Sequence, residues 1–166
     1  MPTLTTPIPE AIEFIGCYTT AFNVQGPVSI RQLLDQPRDT YARLHQSSQF
    51  GMDPDQCQAG IKLLIEVDIL AEDAKSSLGL RGRFEMFFNF EVPDLQSLAT
   101  AQPAEGLTEA GFKVALMLTS ISYSTARGIL MTRLGGTPLD GFALPLIDTA
   151  ELAGKGELTS TTRLRS

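Results

Sequence analysis

The segment 111–134 constrains the fold of this chain more than any other stretch of the sequence. It is long and apolar, and its charged residues are Lys113, Arg127 and Arg133. Apolar residues recur along it at helical spacing, and its middle, 114–126, carries no charge. A helix on the surface of a monomer normally has a charged face. The uncharged middle therefore predicts burial on two sides, against the chain's own sheet and against a partner subunit; a helix enclosed in one larger core is the alternative.

Local signals place the two ends of this helix. Thr108 is suited to the N-cap, because its hydroxyl can accept from free backbone N–H groups of the first turn. Leu107 and Phe112 have the spacing of a hydrophobic staple around that cap. Gly135 and Gly136 follow the last apolar position, and glycine readily adopts the left-handed conformation that ends a helix.

The part of the chain before the helix reads as a sheet. Alternation of apolar and polar residues predicts strands at 12–24, 58–70 and 80–92, and 40–50 alternates less regularly but is also predicted as a strand. One apolar and one polar face are typical of an antiparallel sheet with one side solvated. The predicted fold is therefore α+β, with a four-stranded antiparallel sheet followed by one long helix.

The two ends of the chain differ from its middle. Residues 1–9 contain three prolines and are predicted to form a mobile, extended lead-in. Residues 10–152 are expected to form a single domain. In 153–166, two glycines and a run of threonine and serine predict a disordered tail. Residues 148–152 can form one turn, so a second C-terminal helix is expected to be short or absent.

The composition argues against several classes of protein. The chain has 19 acidic and 13 basic residues, a net charge of −6, which argues against nucleic acid as a partner. Cys17 and Cys57 are too few for a disulfide scaffold and are expected to be free thiols. Residues 1–9 lack the features of a signal peptide, and no stretch is expected to span a membrane. We therefore expect a cytoplasmic protein without membrane insertion.

Catalytic and ligand-binding patterns are scarce. His45 is the one histidine, and no Gly-x-Ser-x-Gly motif is present to accompany it. Cys17, Cys57 and His45 match no zinc-ligand spacing. The glycines at Gly79 and Gly82 are not followed by the Lys-Ser/Thr pair of a phosphate-binding loop. We expect a protein that is not an enzyme and uses neither a metal nor a cofactor.

The run 123–127, Tyr-Ser-Thr-Ala-Arg, resembles part of a known family when it is taken with the Gly136-Thr137 stop and the extended connector that follows. It is similar to the C-terminal half of the SecB family of export chaperones, which has a Tyr-Ala-Arg run in a long helix, then Gly-Thr and an extended segment. The similarity covers 123–152. Two residues are inserted into the Tyr-Ala-Arg run, and Ser122 stands where the family often has proline. The order of elements, four strands and then a long helix, agrees as well.

The resemblance implies a function and an assembly. It implies an ATP-independent holdase that binds unfolded polypeptide, with exported precursors or a dedicated client such as an antitoxin as its partners. It also implies a homotetramer, built as a dimer of dimers with the long helices at the interface. We expect that interface at Val114, Leu118, Ile121 and Thr125.

Family positions also imply binding sites for the client and for the SecA motor. The client groove of the family lies between the first connector, the sheet and the segment after the long helix. Carried over by position, this gives Leu33, Leu34, Phe87, Phe88, Phe142 and Leu144. The family docks on SecA through acidic residues of the solvated sheet face, which gives Glu66 and Asp68.

A second hypothesis is a non-chaperone interaction or assembly protein that binds one folded partner. Arg81 and Arg83 lie on the strand next to Glu66 and Asp68 and can pair with them, which would occupy the acids expected to contact SecA. Those arginines and the shortened second helix favour this hypothesis.

Overall fold

Five strands and three helices make up the parts of the chain that the computed structural model describes, residues 11–98 and 108–164. The strands are β1 (Glu13–Gln25), β2 (Thr40–Asp53), β3 (Gln58–Leu70), β4 (Ser77–Glu91) and β5 (Glu157–Leu164). The helices are α1 (Ile30–Leu34), α2 (Glu109–Arg133) and α3 (Thr149–Lys155), and a 3-10 turn spans Leu95–Leu98. The expected lead-in, 1–9, lies outside the described residues.

All five strands form one antiparallel sheet in the order β1-β4-β3-β2-β5. The hairpins β2-β3 and β3-β4 form its centre, because each strand pairs with the next along the chain. β1 pairs with β4 and bends at two bulges, between Phe14 and Gly16 and between Thr19 and Ala21. β1 and β5 are therefore the two edge strands.

The predicted alternation is present in the sheet and separates its two sides. On the helix side, β3 and β4 bury apolar residues such as Ile61, Ile65, Phe84 and Phe88 almost completely. On the opposite side, which we call the open side, the same strands present polar and charged residues. The sequence expectation of an antiparallel sheet with one solvated side is confirmed.

The long helix α2 covers the helix side of the sheet. Thr108 is its N-cap, as predicted, and the Thr108 hydroxyl accepts from the Gly111 N–H at 3.0 Å. Nine of its residues are buried, and the helix packs on α3 as well as on β2, β3 and β4. By length and composition alone α2 could cross a membrane, although no stretch was expected to span one. Packing against the sheet accounts for much of its apolar character.

Two connectors meet at one end of the sheet. Ser29 caps α1 with reciprocal hydrogen bonds to Gln32. The Ile30 N–H donates to the Pro138 carbonyl at 2.7 Å, and Arg31 pairs with Asp140 at 3.1 Å. These contacts hold the connector between β1 and β2 against the segment that follows α2.

The C-terminal end differs from the sequence prediction. The expected four-stranded sheet has a fifth strand, and residues 157–164 of the expected disordered tail form that strand beside β2. The prediction failed because the Thr- and Ser-rich sequence lacks a core-facing apolar pattern, whereas the edge of β2 supplies the missing hydrogen-bond partners. The short second helix is confirmed as α3, which Asp148 caps and which Gly156 ends in a left-handed conformation, φ +76°.

Candidate functional site

Four of the six residues predicted for a client groove belong to the core of this chain. Leu33, Phe88, Phe142 and Leu144 are buried, with exposed fractions of 7%, 0%, 4% and 2%. They pack in one apolar cluster between the sheet, α1, α2 and the segment after α2. Their side chains are therefore used for packing within the chain in this conformation.

The six predicted residues do not line one surface. Neighbouring residues on a strand point to opposite sides, so Phe88 faces the helices whereas Phe87 faces the open side. Leu34 is half-buried beside the start of β2. Leu34 and Phe87 are the two members of the set with surface that a partner can reach.

Phe87 stands in a row of side chains across the open side. Its ring stacks on Tyr18, with centroids 5.2 Å apart and planes 7° from parallel, and the Lys62 ammonium lies 5.4 Å from its centroid. Beside this row runs a groove of about 370 Å³, lined in part by Gly51 and Gly60. The small glycines leave the backbone uncovered, since a Cβ at Gly51 would meet nothing within 4 Å.

A charged network supports the same row. Lys62 pairs with Glu85 at 3.3 Å, and the Thr20 hydroxyl donates to Glu85 at 2.9 Å. The hydrogen bond from Thr20, then the contact with Lys62, hold the pKa of Glu85 below its ordinary value. The network positions Lys62 against the Phe87 ring.

The edge strand β1 carries the densest exposed apolar surface of the described chain. Phe14, Ile15, Tyr18 and Phe22 are 45%, 52%, 53% and 36% exposed. We call these four residues the β1 surface. On the helix side the rings of Phe14 and Phe22 rest on Phe90 and Phe84 of β4, and on the open side Tyr18 rests on Phe87, at centroid distances of 5.1–5.4 Å. The β1 surface therefore extends around the edge onto both sides of the sheet. Sequence reasoning found the strand but not this surface, because the position of a strand at the edge depends on strand order.

The end of α2 reaches the β1 surface through Arg133. The Arg133 guanidinium donates to the Thr19 hydroxyl at 2.9 Å and lies 5.7 Å from the centroid of the Phe22 ring. Within the described residues, no strand pairs with the outer edge of β1. Its backbone N–H and C=O groups and its apolar side chains are thus presented together, which suits the addition of a further strand.

The predicted oligomer interface divides into two parts along α2. Val114 and Leu118 were expected at the interface between subunits, but they are buried in the chain's own core. Ile121 is 41% exposed and Thr125 is half-buried. Further along the helix Met131 is 63% exposed. From Ile121 onwards the outer part of α2 exposes Ile121 and Met131 among the polar residues Ser124, Thr132 and Arg133. Val114 and Leu118, in the first half of the helix, face the core instead.

The acidic residues predicted to dock on SecA are held in ion pairs. Glu66 accepts from Arg83 at 2.5 Å, and Asp68 pairs with Arg81 at 3.4 Å. This is the cross-strand pairing that the sequence suggested as the alternative to docking. These pairs balance the two acidic charges at the place where an acidic surface was expected.

The run that resembles the SecB family has a structural role in this chain. The Tyr123 hydroxyl donates to the Pro145 carbonyl at 3.0 Å and accepts from the Gln46 amide at 2.8 Å. Burial raises the pKa of Tyr123. Arg127 donates from Nε to the Leu144 carbonyl at 2.9 Å. Tyr123 and Arg127 therefore tie the segment after α2 to the helix and to β2.

Comparison with known proteins identifies the fold. No family model matches the chain, and no curated protein matches its sequence. Among solved structures it is similar to the SecB-like chaperone Rv1957 of Mycobacterium tuberculosis, solved in complex with a ChAD peptide from the Rv1956 HigA1 antitoxin. The TM-score is 0.55 at 11% identity, over 83% of this chain and 91% of that chain. The chain has the α+β fold of a SecB-like chaperone, with five strands and a long helix.

Proposed function

We propose that this protein is an ATP-independent holdase that binds unfolded polypeptide in the cytoplasm. The observation that carries the proposal is the SecB-like fold combined with the edge strand β1, whose outer edge pairs with no other described strand and which exposes large apolar residues. Aromatic side chains give a large and weakly selective apolar contact, and a free strand edge adds backbone hydrogen bonds to any extended chain. The structural neighbour was solved with a peptide from an antitoxin, which supports a polypeptide as the client. The proposed clients are exported precursors or a dedicated client such as an antitoxin.

The proposed assembly is a homotetramer built as a dimer of dimers. Such an assembly needs two different interfaces on each subunit. The described chain exposes apolar residues at two separate places, at the β1 surface and at Ile121 and Met131 on the outer part of α2. Both surfaces are exposed in the single chain, and burying them between subunits would remove apolar area from water.

The proposed client contact within the chain is Phe87 on the open side. Phe87 lines the groove beside Gly51 and Gly60, where an extended backbone can approach the sheet closely. Tyr18 and Lys62 hold its ring from both sides, so an incoming chain meets a fixed aromatic wall. Leu33, Phe88, Phe142 and Leu144 then support the site by packing in the core.

A test of the holdase activity is suppression of aggregation without nucleotide. A client is diluted from denaturant into buffer with or without the protein, and light scattering is followed. We expect scattering to fall in proportion to added protein and to be unchanged by ATP. Phe87→Ser should retain the fold and suppress aggregation less well, while Glu72→Ser, at an exposed site in the turn between β3 and β4, serves as the matched control. A full-length, folded protein that leaves scattering unchanged would contradict the proposal.

A second candidate function is binding of one folded partner without chaperone activity. The observation that favours it is the pairing of Glu66 with Arg83 and of Asp68 with Arg81. The open side there has a mosaic of both charges, which is suited to one complementary surface. SecA docking at Glu66 and Asp68 remains a prediction, tested by adding the purified motor and measuring binding.

A further inference from the structure

β5 is bound to the sheet without a buried side chain of its own. All eight of its residues are half-buried or exposed. The strand that it covers is different, since β2 buries Thr40, Ala42, Leu44 and Gln46. β2 thus contributes buried residues to the core, whereas β5, which pairs with it, contributes few.

The side chains of β5 that face the helix side fill it poorly. Leu158 and Leu164, at the two ends, are partly buried against the core. Between them stand Ser160 and Thr162, directly opposite Leu44 and Ala42 of β2. Hydroxyls therefore occupy positions where alternating apolar residues would bury more surface.

The remaining contacts of β5 lie at the surface. On the open side, His45 Nδ1 and the Thr159 hydroxyl are 3.0 Å apart, and Arg163 pairs with Asp39 at 2.5 Å. The Arg163 and Asp39 side chains are 52% and 40% exposed, and exposed ion pairs contribute little to stability. Backbone hydrogen bonds to β2 are the main attachment of β5.

β5 can leave β2 without disturbing the helix before it. α3 is anchored by Leu152, which is fully buried. Between α3 and β5 stands Gly156 in a left-handed conformation, and its carbonyl accepts from the Ser48 N–H at 2.8 Å. β5 thus begins directly after a glycine. Segments with few buried contacts of this kind unfold locally before the core of a protein does.

We propose that the edge of β2 under β5 is a docking edge for an extended client segment, and that β5 is the resident strand which the client displaces. This inference rests on the proposed holdase function. The register indicates the client chemistry: apolar side chains at alternate positions, placed opposite Ala42 and Leu44 where β5 has Thr162 and Ser160. β5 protects this edge from self-association while no client is present.

A reversible lock of β5 tests this inference in the full-length protein. His45→Cys and Thr159→Cys, in a background of Cys17→Ser and Cys57→Ser, place two thiols at opposite positions whose side chains already touch. Directly opposite Cβ atoms lie about 4.5–5.5 Å apart, and a disulfide needs about 3.5–4.5 Å, so a small approach of the two strands closes the bond. The probe is a fluorescent, carboxymethylated polypeptide that stays unfolded, with affinity measured by anisotropy in the oxidised and then the reduced protein.

We expect the oxidised protein to bind the unfolded probe at least about five-fold more weakly than the reduced protein, with the cysteine-free parent unaffected by reductant. Equal affinity of the two forms, with the disulfide confirmed by mass, would overturn the displaced-strand inference and leave the holdase proposal standing. Absence of binding in the reduced form and in the parent would overturn both.

A second measurement covers the case in which the disulfide fails to form. Hydrogen exchange of the unmodified protein is compared with and without the same probe. Displacement predicts faster exchange over Glu157–Leu164 while the amides of β2 stay protected. Unchanged or slower exchange over β5 in the bound state would overturn the inference. Ser160→Val, which strengthens β5 on its apolar side, should weaken probe binding, and an unchanged affinity in that folded variant would contradict it.

Discussion

Ser122 offers the sharpest test of how α2 packs. Its hydroxyl oxygen is buried and, within the described residues, has no hydrogen-bond partner. Ser120, two residues earlier, donates to the Leu116 carbonyl at 3.0 Å and lies 2.6 Å from the Thr149 hydroxyl. The two serines share a helix but differ in whether the hydroxyl is satisfied. Replacing each by alanine therefore isolates the contribution of the hydroxyl.

The expected free-energy changes have opposite signs. An unpaired buried hydroxyl costs about 1–3 kcal/mol, and alanine in a helix interior is favoured over serine by about 0.5 kcal/mol. Ser122→Ala should therefore raise the free energy of unfolding by about 1.5–3.5 kcal/mol. Ser120→Ala gains the same propensity but loses two hydrogen bonds worth about 0.5–1.5 kcal/mol each, so it should lower the free energy of unfolding by about 1 kcal/mol.

Thermal and urea unfolding, at one fixed protein concentration because assembly alters the midpoint, measure both variants. For a chain of this size about 1 kcal/mol shifts the melting temperature by about 2–4 °C. Ser122→Ala should melt at least about 2 °C above the parent, and Ser120→Ala should melt below it. A destabilised Ser122→Ala would refute the reasoning, because it would mean that the hydroxyl has a partner after all.

Three further changes test other parts of the structure. Ile121→Glu should leave the chain folded and split the oligomer, because a charge would be buried unpaired between subunits. Gln32→Glu, at an exposed position, is the control. Light scattering that still gives a tetramer for Ile121→Glu would show that this part of α2 is not the interface. Phe88→Asp should prevent stable folding because Phe88 is fully buried, and a native circular dichroism spectrum would contradict this. Hydrogen bonds from Ser76, then from Lys75, lower the pKa of Asp73 to about 2. The ionised Asp73 carboxylate therefore stabilises the fold above its ordinary pKa of 3.8, and this contribution is lost as the pH falls through about 2. An NMR titration midpoint near 3.8 would disprove it.

The sequence was most informative where a residue's own neighbours along the chain decide its structure. The alternation of β3 and β4 and the cap at Thr108 are local patterns, and each is found where it was predicted. The pairing of Arg83 with Glu66 also followed from alternation, because it required only that the two strands be adjacent. Such features depend on residues close together along the chain or on adjacent strands, so the sequence pattern alone predicts them.

Features that depend on long-range arrangement were missed. β5 forms because β2 has an edge to pair with, and nothing in its threonine- and serine-rich sequence indicates that edge. The β1 surface is exposed because β1 lies outside β4, a consequence of strand order. The burial of Phe142 and Leu144 depends on how Tyr123 and Arg127 tie the segment after α2 to the helix.

The measurement that tests the central claim most directly is the binding of one labelled polypeptide presented first unfolded and then folded. Fluorescence anisotropy of the label, with the purified full-length protein added in steps and no nucleotide present, reports both affinities. The holdase account predicts saturable binding of the unfolded form and no binding of the folded form, because only the unfolded chain exposes apolar segments and a free backbone. Equal binding of both forms, or binding of neither, would contradict it.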